Sequence, residues 1–245
     1  MGELISLGDG IWTLDGPVAK DLLVVPYPTR MTVVRLADGG LWIASPIPCS
    51  FAQLAEIAPL GEVRHLLSPT PRHHWRLEEW HRLFPDALLW SCRLSAGTLG
   101  DRSLPTTILG EEAPDAWAGQ LEQARFRARG FDEIAFFHRA SSTVLLEDVV
   151  QAHRRGANPL ANALIRFGGI GPRGGVPRDM RALARAEDAR AFAERVLSWE
   201  ADQLVMAHGP IVREGARAWL ERAFAPLLGD APQGSGRASH EPDAR

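Results

Sequence analysis

Ile134-Ala135-Phe136-Phe137-His138-Arg139-Ala140-Ser141-Ser142-Thr143-Val144-Leu145-Leu146-Glu147-Asp148 is the stretch on which the reading of the fold turns. Two apolar runs flank a polar joint, and each run stops on a side chain able to bind a metal. Short apolar runs bounded by turn signals read as strands buried on both faces. Working outward, Leu204-Val205-Met206-Ala207 ends the same way at His208. A fourth run, Leu66-Leu67, leads through Ser68-Pro69-Thr70-Pro71-Arg72 into His73-His74. In open α/β sheets, ligands collect outside the carboxyl ends of the strands. Ionisable groups at four strand ends are therefore placed to converge on one spot.

The surrounding pattern begins β-rich. Ile11 to Leu14 reads as a strand, and Met31 to Leu36 with Leu41 to Ala44 as a hairpin around Ala37-Asp38-Gly39-Gly40. Ser50 caps a short helix to Ile57, followed by a strand at His65 to Leu67, a helix around Leu77 to Phe84 and a strand at Ala87 to Trp90. Pro114 to Arg129 reads as helix with Gly130 as its stop. After the quoted stretch, helices are expected from Asn158-Pro159 to Phe167, near Arg178 to Ala184, over Glu187 to Glu200 and from about Glu214 to Leu227, with a strand at Gln203 to Ala207. Residues 1–229 read as one domain, and 230–245 as a tail of Gly, Pro, Ser and charge without periodicity. Layers of helix, sheet, sheet and helix satisfy this order, as does one large mixed sheet.

The bulk numbers exclude several classes of function. The chain has 245 residues, 45% of them hydrophobic and 23% charged, with net charge −3 from 27 basic and 30 acidic side chains. That balance leaves no electrostatic footprint for nucleic acid or an anionic membrane. No run approaches the ~20 apolar residues of a membrane helix. Cys49 and Cys92 form neither a disulfide framework nor a C-x-x-C pair. With no basic and apolar leader at Met1-Gly2-Glu3-Leu4, a reducing cytoplasm is the expected location. The glycine-rich loop, residues 168–175, lacks the Lys-Ser/Thr of a P-loop, so no nucleotide cofactor is expected. It reads as a connector, or as a lid with Arg173 facing an anionic substrate.

The layout resembles the metallo-β-lactamase superfamily, and more closely its uncharacterised branch known as domain of unknown function 4336. The resemblance rests on Gly10-Ile11-Trp12-Thr13 with Arg30 to Leu36, His73-His74 followed by Trp80 and Phe84-Pro85-Asp86-Ala87, Phe136-Phe137-His138-Arg139, Leu145-Leu146-Glu147-Asp148, Gly169-Ile170-Gly171-Pro172 and Ala207-His208-Gly209. These stretches run from about residue 5 to 225. The resemblance implies an α/β (α+β) fold, an αββα four-layer sandwich with metals on loops at one sheet edge. It also sets this chain's loop against H-x-H-x-D-H, which puts Pro69 and Pro71 at the first two histidines, His73 at the aspartate and His74 at the last histidine. Asp148 matches the bridging aspartate, His208 the terminal histidine, and His138 the middle one. Proline has no donor atom, so one of the two usual metal sites has lost two ligands.

The expected ligand set is therefore His74, Asp148 and His208, with His73 and His138 as further candidates, around one divalent ion. Zinc suits these donors, and iron or manganese about as well. Adjacent residues in an extended segment point opposite ways, so one of His73 and His74 is expected to face the site. Asp148 reads equally as a ligand or as the cap of a following helix, and His138 as a ligand or a core histidine. Glu147 is expected to face away from Asp148, and His65, His81, His153 and His240 to be solvated. Two functions follow. One is a mononuclear metal-dependent hydrolase acting on a small ester, amide or thioester. The other is a scaffold, inactive and metal-free, that binds a small molecule or a protein partner.

Overall fold

The computed structural model describes residues 2–19 and 25–229. The tail expected at 230–245, with His240, lies outside them. Among the described residues eleven strands form two sheets. The first takes β1 (Leu4–Gly8), β2 (Ile11–Asp15), β3 (Arg30–Arg35), β4 (Gly40–Ala44), β5 (Glu62–Ser68), β6 (Leu88–Ser91) and β7 (Thr107–Ile108), side by side in chain order. The second has the order β11 (Gln203–Met206), β10 (Thr143–Leu146), β9 (Phe131–His138), β8 (Leu121–Ala128). Seven helices accompany them: α1 (Phe51–Ile57), α2 (Leu77–Leu83), α3 (Arg93–Asp101), α4 (Pro159–Gly168), α5 (Arg178–Leu183), α6 (Ala186–Leu197) and α7 (Ala216–Leu228).

Alternation along the strands builds three apolar layers. Leu41 and Ile43 of β4 face one way, against Ile57, Leu77, Trp80 and Leu99 of the helices α1 to α3. Trp42 and Ala44 face the other way, where the two sheets meet over Phe136, Leu145 and Val205. Ala135, Phe137, Val144, Leu146 and Met206 point outward again, beneath Phe192, Val196, Leu220 and Phe224 of α6 and α7. This is the expected αββα sandwich. Among the described residues no helix is long and apolar enough to cross a membrane.

One element contradicts the sequence pattern. Residues 121–128 form strand β8 rather than the second half of a helix, paired with β9 over its full length. The Ala, Gln, Glu and Arg of this stretch favour helix on propensity. Burying Leu121 and Phe126 against the neighbouring layers outweighs that preference. Gly130, read as a helix stop, turns the β8–β9 hairpin at φ 76°. Strands β1 and β7 and helix α3 have no counterpart in the sequence pattern.

Strand direction positions the functional residues. β4, β5 and β6 run parallel, and so do β10 and β11, whereas β9 runs antiparallel to β10. The segments that follow β4, β5, β10 and β11 therefore meet at one edge of the sandwich.

Candidate metal centre

At that edge three side chains aim donor atoms at a common point. His73 comes from the loop after β5, Asp148 from just beyond β10, and His208 from just beyond β11. His208 Nε2 lies 3.1 Å from Asp148 Oδ1, His73 Nε2 lies 3.4 Å from His208 Nε2, and His73 Nε2 lies 3.6 Å from Asp148 Oδ2. Four ligands at roughly 2.0–2.1 Å around a tetrahedral ion sit about 3.4 Å apart. With one donor atom taken from each residue, the three lie within 4.8 Å of one another, close enough to serve as ligands of one cation.

The outward hydrogen bonds of the two imidazoles point the same way. His208 Nδ1 lies 2.7 Å from the Pro28 carbonyl, which can only accept, so Nδ1 carries the proton. In the neutral ring the Nε2 lone pair then faces the Asp148 carboxylate, an arrangement that calls for a cation or a proton between them. His73 Nδ1 lies 2.8 Å from Ser45 Oγ and 3.0 Å from Glu147 Oε2. A carboxylate behind a metal-binding histidine fixes its tautomer and orientation. Ser45 reaches this position with an unusual left-handed φ of 54°. Without a metal, burial disfavours the charged form of His73, but Asp148 and Glu147 outweigh it and raise its pKa to about 9. Burial likewise opposes ionisation of Asp148, and His73 and His208 overcome it, holding the carboxyl well below its usual range.

The turn that carries Asp148 is held from β9. The fully buried Glu133 carboxylate accepts from the backbone N–H groups of Glu147, Asp148 and Val149, each at 2.8 Å. Burial, then the nearby Asp148 charge, push the Glu133 carboxyl up to about 8, while the backbone donors pull against that push. Thr70 Oγ1 donates to Asp148 Oδ2 at 2.7 Å. Buried Arg30 of β3 donates to the Met206 and Gly209 carbonyls at 2.6 and 2.8 Å, tying the His208 turn to the first sheet. Sequence reasoning missed Glu133, Thr70 and Arg30. A charged residue in an apolar strand, Asp132-Glu133 before Ile134, was the available signal for Glu133.

The structure brings His73, Asp148 and His208 together and leaves two other candidates out. His74 turns away, its Nδ1 2.9 Å from the Pro71 carbonyl and its ring stacked on Trp75 at 5.1 Å. His138 lies opposite Thr143, at the far end of β10 from Asp148, and bonds Ser141 Oγ at 2.8 Å. Asp148 caps no helix, because the next one is α4, beginning at Pro159. Glu147 turns toward His73 rather than away from the site, since the three N–H bonds to Glu133 curl the chain there. His153 is buried rather than solvated: its Nε2 lies 3.0 Å from Gln151 Oε1 and its ring stacks on His208 at 6.4 Å. Burial lowers its pKa to about 4, with the His208 charge adding. His65 is buried too, accepting from Trp90 Nε1 at 3.1 Å.

The glycine-rich loop forms one wall beside the centre. Gly169 ends α4 in left-handed geometry, and Gly175 and Gln151 exchange backbone hydrogen bonds at 3.0 and 3.1 Å. Gly174, at φ 71°, packs so closely on the Trp219 ring that a Cβ would collide with it. A cavity of about 220 Å³ lies between this loop and Arg72.

The profile of the family described as a domain of unknown function (DUF4336) matches residues 8–160. The chain belongs to the DUF4336 family. A search of curated proteins by sequence finds no match for this DUF4336 protein. Its fold is that of the metallo-β-lactamases. A metallo-β-lactamase from Pontibacter korlensis is 14% identical with a TM-score of 0.62, the match covering 93% of this chain and 99% of that one. One from Hirschia baltica is 12% identical with a TM-score of 0.60, covering 92% and 97%. The metal-soaked Flv1 flavodiiron core from Synechocystis is 14% identical with a TM-score of 0.65, covering 93% of this chain and 60% of that one.

Proposed function

We propose that this protein is a mononuclear metal-dependent hydrolase of a small ester, amide or thioester, with one divalent ion held by His73, Asp148 and His208. The convergence of one donor atom from each of these residues within 4.8 Å carries this reading. Two imidazoles and a carboxylate suit zinc, with iron or manganese as close competitors. Such an ion supplies Lewis acidity at a carbonyl oxygen and makes water acidic enough to ionise near neutral pH. Side chains of this protein supply the rest. Glu147 and the Pro28 backbone carbonyl accept hydrogen bonds from the Nδ1–H groups of His73 and His208, so both Nε2 lone pairs face inward. Thr70 fixes one oxygen of Asp148, and the adjoining cavity is the place for substrate. The choice of hydrolysis as reaction class follows fold analogy. We place the protein in the cytoplasm, where the unpaired Cys49 and Cys92 stay reduced.

A second reading, a metal-free binding scaffold, has its own support. Pro69 and Pro71 offer no donor, and Thr70 and Arg72 lie beside Asp148 at 2.7 and 3.8 Å, partly satisfying its charge without a metal. Elemental analysis of protein purified without chelators separates the two. The hydrolase reading expects about one equivalent of metal, lost in His208→Ala and Asp148→Ala and kept in His74→Ala and His138→Ala. Substoichiometric metal, with no thermal shift on adding zinc, overturns it in favour of the scaffold.

A further inference from the structure

We propose that the cavity beside the centre binds a monoanionic small molecule with an apolar body, such as a carboxylate on a short aliphatic or aromatic group, with Arg72 as its anion contact. This deepens the hydrolase reading and rests on it for the ligand's role as substrate, although the binding itself needs no metal.

Arg72 has spare donors in a fixed place. Its guanidinium sits over the Phe131 ring at 5.2 Å, and its Nη1 is 3.8 Å from Asp148 Oδ1, too long for a hydrogen bond. Asp148 is already served by Thr70 and His208. Among the described residues none accepts a hydrogen bond from this guanidinium, and its side chain is 46% exposed beside the cavity. A planar guanidinium so placed matches a carboxylate with two parallel N–H donors.

The remaining lining defines the rest of the ligand. Val25, Leu164, Ile170 and Pro177 are apolar, and Tyr27 adds an aromatic ring that carries a hydroxyl. Gln151 is spoken for, donating to the Asp148 carbonyl at 3.0 Å while its Oε1 faces His153. Asp179 also lines the cavity and repels a second negative charge on the ligand. The unfilled Arg72 donors call for an anionic acceptor, and Asp179 disfavours a second negative charge on the same ligand. At about 220 Å³ the space holds a small body rather than a polymer.

Calorimetric titration with benzoate, benzamide and phthalate tests this on the full chain, both chelator-treated and zinc-loaded. Benzoate is expected to bind both forms, with benzamide and phthalate each about tenfold weaker. Arg72→Gln should weaken benzoate about tenfold, whereas Asp179→Asn should tighten it about twofold. Misfolding cannot move two variants in opposite directions. The proposal is overturned if benzoate binds only the zinc-loaded form, if benzamide binds as tightly, or if Arg72→Gln leaves the benzoate Kd unchanged. Zinc stoichiometry in the same preparations reports on the hydrolase reading separately, so either can fail alone.

Discussion

His138 and His208 look alike in sequence and end at opposite edges of the sandwich. Each closes a buried apolar strand, and the two are 4% and 6% exposed. His208 follows β11, which runs parallel to β10, so it arrives at the edge that holds Asp148. His138 ends β9, which runs antiparallel to β10, so it arrives at the other edge and settles for the Ser141 hydroxyl of its own hairpin. The rule that ligands gather at carboxyl ends holds only among strands sharing a direction. Apolar runs announce strands, but direction decides which strand-end histidines meet.

The sharpest way to break the contrast is to remove what supports each edge. Glu133 accepts three successive backbone N–H groups behind Asp148, and Ser141 makes a single neutral bond behind His138. Glu133→Ala leaves three buried donors unpaired and should cost about 4 kcal/mol or more in urea unfolding. Ser141→Ala should cost about 1 kcal/mol. Glu133→Gln keeps one acceptor oxygen and should fall between them. Equal effects of the two alanine variants would mean that the 147–149 turn is fixed by packing alone.

These residues also mark how far the sequence could be read. Layer order, most strand positions and the partnership of Asp148 with His208 follow from apolar runs and their terminal groups. Which of His73 and His74 faces the centre does not, because Pro69 and Pro71 break the regular alternation. The phase is set instead by the Pro71 carbonyl of the same loop, against His74, and by the Ser45 hydroxyl from beyond β4, against His73. Glu133 was hidden for a related reason, since its partners are backbone groups fourteen to sixteen residues away. Residues 121–128 were misread because their composition reports intrinsic preference, whereas their strand state comes from pairing with β9.

A smaller effect is expected from the group behind His73. Glu147→Gln keeps an acceptor near Nδ1 but removes the charge that stabilises the ring. Metal affinity, measured by competition with a chromophoric chelator, should fall about tenfold while the fold stays intact. Affinity unchanged by Glu147→Gln would leave Ser45 as the partner that orients His73.

The smallest effect belongs to the far edge and has a defined sign. Burial lowers the pKa of His138 below its ordinary 6.5, so the folded protein holds this ring neutral where the unfolded chain would protonate it. The unfolded state then binds more protons on acidification, and stability present above the unfolded pKa is lost as pH falls through 6.5 toward the folded value. His138→Gln cannot take up that proton. The Tm difference between variant and wild type should therefore shift in the variant's favour on going from about pH 7.5 to about pH 5.5, with metal content unchanged. A difference that stays flat over this range would show that His138 titrates as a solvated ring. A loss of metal in the same variant would bring the two edges back into one site and undo the contrast between them.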